Sequence, residues 1–274
     1  MTSSAHRSVP AAFTVPALLG VLVIAGPFLG LMVNIPWTEA WQLMTSPEAL
    51  SSVKLSVATA LIATVICGLL GLPLSLYLTK VIDRSRYRKL GLVLYALLYT
   101  PVILSPVVSG LALTFFWGRL GLVGSLLDGA GVVIPFTSTA VVVTQVFVGL
   151  PFFVATAVTS LRAVPAEFEH IALVEGATPW EVTSKVLLPV AAPGLATAFL
   201  LSFARALGEY GATVTFAGNI AEKTRTIPLN IELMLSSNLM PQALGSALQL
   251  MSLYLIVLGI GLFLVSLRRI RSRA

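Results

Sequence analysis

The sequence predicts an all-α, polytopic membrane protein with about six transmembrane helices and one patterned cytoplasmic loop. Three observations lead there. Charged residues make up 10% of the 274-residue chain and hydrophobic ones 57%, where a typical soluble domain is about 25% charged. Stretches free of Asp, Glu, Lys and Arg cover 8–38, 55–79, 90–118, 129–161, 186–204 and 233–267. Each reaches the about 20 residues that a helix needs to cross the hydrocarbon core, the fifth only just. Finally, the basic residues gather on one side of the spans so defined.

Six spans follow, roughly 13–33, 55–79, 90–116, 137–160, 190–217 and 244–267. The first apolar run, Val9 to Ile35, is too long for the core of a secretory signal and is read as a retained span. Cytoplasmic loops carry the Lys/Arg excess. Arg7, then Lys80, Arg84, Arg86, Arg88 and Lys89, then Arg162 and Lys185, then Arg268, Arg269, Arg271 and Arg273 place twelve basic residues on one side. The other side holds Lys54, Arg119, Lys223 and Arg225, and Arg205 falls inside a span. An even number of spans with both termini in the cytoplasm satisfies this asymmetry. The chain reads as a single domain, 1–274.

The composition also removes whole classes of function. One cysteine, Cys67, excludes an internal disulfide framework. His6 and His170 are too far apart in sequence to suggest a metal centre, and no metal site is expected. The basic residues are few and clustered, which is unlike a nucleic-acid-binding surface.

Four places depart from plain apolar helix. Pro101 and Pro106 interrupt the third span, and each removes an intrahelical hydrogen bond. The result is either a static kink or a bent helix lining a pathway. In the fifth span Arg205 and Glu209 are four apart and share a helix face. They form either a structural pair near the outer interface or part of a polar pathway or gate. Gly208, Gly211 and Gly218 loosen the backbone there, so a broken helix or turn can replace a smooth span. The loop 161–189 has Pro165 to start a helix, Glu167 and Glu169 in its first turn, and Gly176 to end it. Phe168, Ile171 and Ala172 share one of its faces. A second short helix, Pro179 to Leu187, is expected to stop at Pro189. The loop is near neutral or acidic, which favours a protein partner over an anionic lipid surface. Finally, Lys223 and Arg225 beside the outer mouth suit an anion or an acidic partner surface, or are simply solvated.

The loop resembles the EAA signature of permease subunits of bacterial ABC importers. Glu169-His170-Ile171-Ala172 matches its opening, with Ile171 in place of an Ala. Gly176, nine further residues and Val186-Leu187-Leu188-Pro189 keep its spacing. FARALGEYGATVTFAGNI followed by KTRTIPL, and LYTPVILSPVVSGLAL followed by GRLGLVGSLL, resemble ModB-type molybdate permeases. This likeness runs over about 50–270.

The resemblance implies a type-1 ABC importer fold in the bacterial cell membrane. A second copy of the chain would complete a homodimer around a central path, in contact with membrane lipid. Two cytoplasmic ATP-binding subunits would receive the short helix from each copy, and an extracytoplasmic binding protein would deliver molybdate or tungstate. Glu167, Glu169, Ala172, Gly176, Leu188 and Pro189 would then serve ATPase coupling. In such a fold the departures read from the residues themselves, Pro101, Pro106, Arg205, Gly208, Glu209 and Gly211, are expected to form the translocation path or gate. Lys223 and Arg225 would meet the anion or its binding protein. The chain is expected to have no catalytic residues and no cofactor of its own, with ATP and Mg used by the partner ATPase. It has no phosphate-binding G-x-x-x-x-G-K-[ST] segment. A sulfate/thiosulfate permease is the neighbouring reading. A secondary transporter driven by an ion gradient would need intramembrane carboxylates, for which Glu209 is the only clear candidate. A membrane enzyme would need a cluster of His, Asp, Glu or Cys near an interface.

Overall fold

The computed structural model describes residues 11–82 and 87–271. Arg7, Arg84, Arg86 and Arg273, counted above toward the cytoplasmic side, and His6 lie outside the described residues. Among the described residues, five helices are long and apolar enough to cross a membrane: α1 (Thr14–Asn34), α2 (Pro47–Ile82), α5 (Ser138–Arg162), α7 (Pro179–Leu207) and α10 (Met240–Arg271). Two further helices, α3 (Arg88–Ile103) and α4 (Pro106–Trp117), are long and apolar enough only when taken together, which makes six crossings if the bent pair counts as one span. The remaining helices used below are α6 (Ala166–Val174), α8 (Gly211–Phe216) and α9 (Ile227–Ser236).

The core is the three-helix contact of α2, α5 and α7. In a bilayer, helix association rests on packing, because lipid is as apolar as the side chains it replaces. The packing here is tight. Phe153 of α5 is fully buried and meets the edge of Phe199 of α7 at a centroid distance of 4.9 Å. Leu78, Leu161 and Leu187 close the same cluster toward one end. By contrast, α1 has no buried residue.

Contacts between loops define the two ends of the bundle. At one end the Ser56 hydroxyl of α2 accepts from the Ile227 backbone N–H at 2.8 Å, and the Ser138 hydroxyl of α5 donates to the Lys223 carbonyl at 2.7 Å. At the other end Lys80 of α2 pairs with Glu169 of α6. At 36 residues, α2 is about 54 Å long and exceeds the hydrocarbon thickness.

Two spans differ from the expected smooth crossings. The third is broken rather than kinked: α3 and α4 meet at 116°. Pro106 opens α4, and the residues before it, Leu104 and Ser105, are extended at ψ 144° and 148°. At Ser105 that conformation is the one a following proline imposes. Ser105 caps α4 by accepting from the Val108 N–H at 3.4 Å. The fifth span was expected over 190–217. It begins earlier, at Pro179, stops at Leu207, and resumes as the short α8.

The expected stop at Pro189 is also corrected. Residues 182–187 form a π-helical turn, in which the Leu188 N–H bonds the Thr183 carbonyl five residues back. The wider turn relieves the clash a proline ring makes with the carbonyl four residues earlier, so the helix runs on through Pro189.

Candidate functional site

The short helix α6 forms where the sequence signals coincide. Pro165 precedes it and Glu167 and Glu169 occupy its first turn. Gly176 ends it with φ +88°. The Gly176 N–H donates to the Leu173 carbonyl at 3.1 Å, and the Ala177 N–H to the Ala172 carbonyl at 2.9 Å. Together these bonds make a Schellman stop, which needs a left-handed residue at this point. Ala172 therefore serves the stop through its carbonyl.

A second cap follows at once. The Thr178 hydroxyl accepts from the Glu181 N–H at 3.3 Å, and the Glu181 carboxylate accepts from the Thr178 N–H at 3.0 Å. This reciprocal box starts α7. The T-P-W-E spacing signals it in the sequence, although the sequence reading did not use it.

The two first-turn glutamates have different surroundings. Glu167 is exposed. Glu169 is half-buried and paired with Lys80 on α2. Beside them α6 presents apolar side chains to the outside: Ile171 is 60% and Val174 86% exposed, and Trp180 at the start of α7 is 76% exposed. At the root of the loop, Leu188 is half-buried and Pro189 is exposed within α7.

A second constellation lies where the two broken spans meet. Arg205 is on the last turn of α7 and Glu209 in the break before α8. The Arg205 Nη1 lies 2.6 Å from Glu209 Oε2, with side-chain exposures of 31% and 2%. The other carboxylate oxygen of Glu209 accepts from the Ala212 N–H at 2.9 Å. Each charge alone would cost about 2.5–3.5 kcal/mol at mid-bilayer on insertion scales, and the pairing reduces that burden. A cavity of about 160 Å³ adjoins the pair, lined by Pro101, Pro106, Ser109, Phe152, Arg205 and Glu209.

The glycines of this region permit close approach. A Cβ on Gly211 would lie 2.4 Å from the Cβ of Pro106, and one on Gly208 2.2 Å from the Tyr254 hydroxyl. Five of the six proposed gate residues, Pro101, Pro106, Arg205, Glu209 and Gly211, thus come together at one junction. Gly208 sits on its far side, against α10. Ser109, Phe152 and Tyr254 were not foreseen, since only the fold brings them there.

The two cations expected at the outer mouth separate. Lys223 is exposed, and Arg225 is half-buried, donating from Nε to the Asn219 amide oxygen at 3.0 Å. Among the described residues no group of three or more His, Cys, Asp or Glu could hold a metal ion.

An all-helical bundle of candidate membrane spans, with two breaks meeting at a paired charge, is the architecture of a polytopic membrane protein. The chain belongs to the family of binding-protein-dependent transport system inner membrane components, which it matches over residues 71–272. It is 41% identical over 246 residues to the molybdenum transport system permease protein ModB of Mycobacterium tuberculosis, covering 90% of this chain and 91% of that one. The sulfate transport system permease protein CysT of Escherichia coli is 33% identical over 201 residues, covering 73% and 70%. Among solved structures, a chain of a bacterial alginate ABC transporter in complex with its pentasaccharide-bound periplasmic protein has the same fold. Its TM-score is 0.69 at 18% identity, covering 92% of this chain and 91% of that one.

Proposed function

We propose that this chain is the permease subunit of an ATP-driven ABC importer for molybdate, with tungstate as a close analogue. The observation that carries the substrate is the 41% identity to a molybdenum permease over nine-tenths of the chain. The similar sulfate permease makes sulfate the second reading. Two copies would enclose the path, two ATP-binding subunits would dock below, and an external binding protein would supply the anion. The termini and α6 would face the cytoplasm.

The mechanism is alternating access. The exposed apolar face of α6 beside Glu167 is the docking surface for the ATPase. Closure of the ATPase dimer moves α6, and α7 and α2 carry that movement because α6 is joined to both, through the π turn and through Glu169–Lys80. The junction of α4 with α8 is the element that opens and closes, since backbone breaks concentrate there. The outer loop with Lys223 and Arg225 receives the binding protein.

Purification of the chain co-expressed with its candidate ATPase tests the assembly. A stable complex of two permeases with two ATPases is expected. A permease that purifies alone and transports on an ion gradient would overturn it.

A further inference from the structure

We infer that Glu209 is a built-in counter-ion that keeps Arg205 from holding the transported anion. The inference rests on the reading of the α4–α8 junction as the path. Arg205 presents its guanidinium to the cavity, and a doubly charged oxyanion entering that cavity would find in it the one cationic residue of the lining. A lone arginine in a low-dielectric site would bind such an anion strongly and release it slowly. The chain places a carboxylate on it instead.

That carboxylate is held, not merely near. Glu209 is 2% exposed and fixed at both oxygens, one on Arg205 Nη1 at 2.6 Å and one on the Ala212 N–H at 2.9 Å. The two anchors belong to different helices, α7 and α8, and the carboxylate bridges the break between them. The pair therefore reaches the cavity as a near-neutral dipole. The 31% of Arg205 left exposed attracts an anion without capturing it. Passage requires affinity high enough to admit the anion and low enough to let it go, and Glu209 sets that balance.

The other residues lining this cavity carry no charge. Pro101, Pro106 and Ser109 face it from α3 and α4, and Phe152 from α5. Glu209 is the acidic group among these cavity-lining residues, so its removal leaves Arg205 as the one charged residue of the lining.

The test uses the full permease–ATPase complex in nanodiscs, without binding protein, and reads equilibrium binding of radiolabelled molybdate. Wild type is compared with Glu209→Gln, which keeps the shape and removes the charge. Loss of an opposing charge at contact distance shifts the affinity of a charged ligand by roughly ten-fold or more, so Glu209→Gln is expected to bind at least that much tighter. The gain should vanish in Arg205→Gln/Glu209→Gln. Uptake with binding protein should show kcat falling while KM falls with it, because release becomes slow. If Glu209→Gln does not assemble, Glu209→Asp keeps the charge but shortens the reach, and should tighten binding in the same direction. Unchanged or weaker binding in an assembled variant would overturn the inference. Ser109→Phe, which fills the cavity, separates the two claims. Normal uptake in that variant would refute the path itself, and the inference with it. Blocked uptake combined with no tightening in Glu209→Gln would refute only the counter-ion role.

Discussion

Replacement of Gly176 isolates the coupling loop from every other feature. The residue stops α6 with φ +88°, and a Cβ there would meet nothing within 4 Å. Substitution therefore acts through the backbone and not through a clash. A non-glycine residue held in the left-handed region costs about 1–2 kcal/mol, least for Asn, whose short polar side chain tolerates it. A β-branched residue lies toward the upper end of the about 1–3 kcal/mol for such strain. Relaxing that strain means breaking the two bonds of the stop, Gly176 to Leu173 and Ala177 to Ala172. A cost of about 2 kcal/mol lowers the population of the docked form of α6 roughly thirty-fold. The expected order of uptake is Gly, then Asn close behind, then Ala, then Val nearly inactive. The assay is molybdate uptake and ATP hydrolysis in proteoliposomes holding the permease and its ATPase, with loaded binding protein outside. In Gly176→Val, hydrolysis should lose its response to the binding protein while the complex still assembles. Undiminished transport by Gly176→Val, or Asn behaving as badly as Val, would refute the coupling role of this turn.

Lys80→Glu should lower coupled uptake by placing like charges beside Glu169, and the exchange Lys80→Glu/Glu169→Lys should restore much of it; the ratio of ATP hydrolysed to anion moved is the readout. Gly211→Ala puts a Cβ 2.4 Å from the Cβ of Pro106, an overpacking of about 1–3 kcal/mol that should lower both Tm and uptake. Arg205→Ala should reduce transport or assembly, because it strands the buried Glu209; size-exclusion profiles with uptake rates distinguish the two. Thr178→Ala should cost about 1 kcal/mol through its lost cap and appear as a small drop in Tm with little change in uptake.

The legible parts of the molecule are those written in local pattern. Hydropathy places the long helices, because a span needs a continuous apolar run whatever surrounds it. Pro165 and Gly176 bound α6, because each acts on its own backbone. The run of Pro101 and Pro106 marked a disturbance, but its size depends on what fills the opened corner, here Gly211 and the break before it. The passage of α7 through Pro189 was not legible, since a π turn depends on the packing that holds it. Nor was the pair Lys80–Glu169, whose members are 89 residues apart and meet only once α2 and α6 are in place. The charge count gave Lys80 a role in orientation and none in the loop. Arg205 and Glu209 were readable as a pair from their spacing, whereas the second anchor of Glu209 on Ala212 required the helix break.

Uptake by proteoliposomes holding the permease and its ATPase, with ATP inside and the loaded binding protein outside, measures the central claim most directly. Radiolabelled molybdate should accumulate only with ATP and the binding protein, and excess tungstate should displace it where excess sulfate does not. Accumulation driven by an ion gradient without ATP, or equal displacement by sulfate, would contradict the assignment to an ATP-driven molybdate permease.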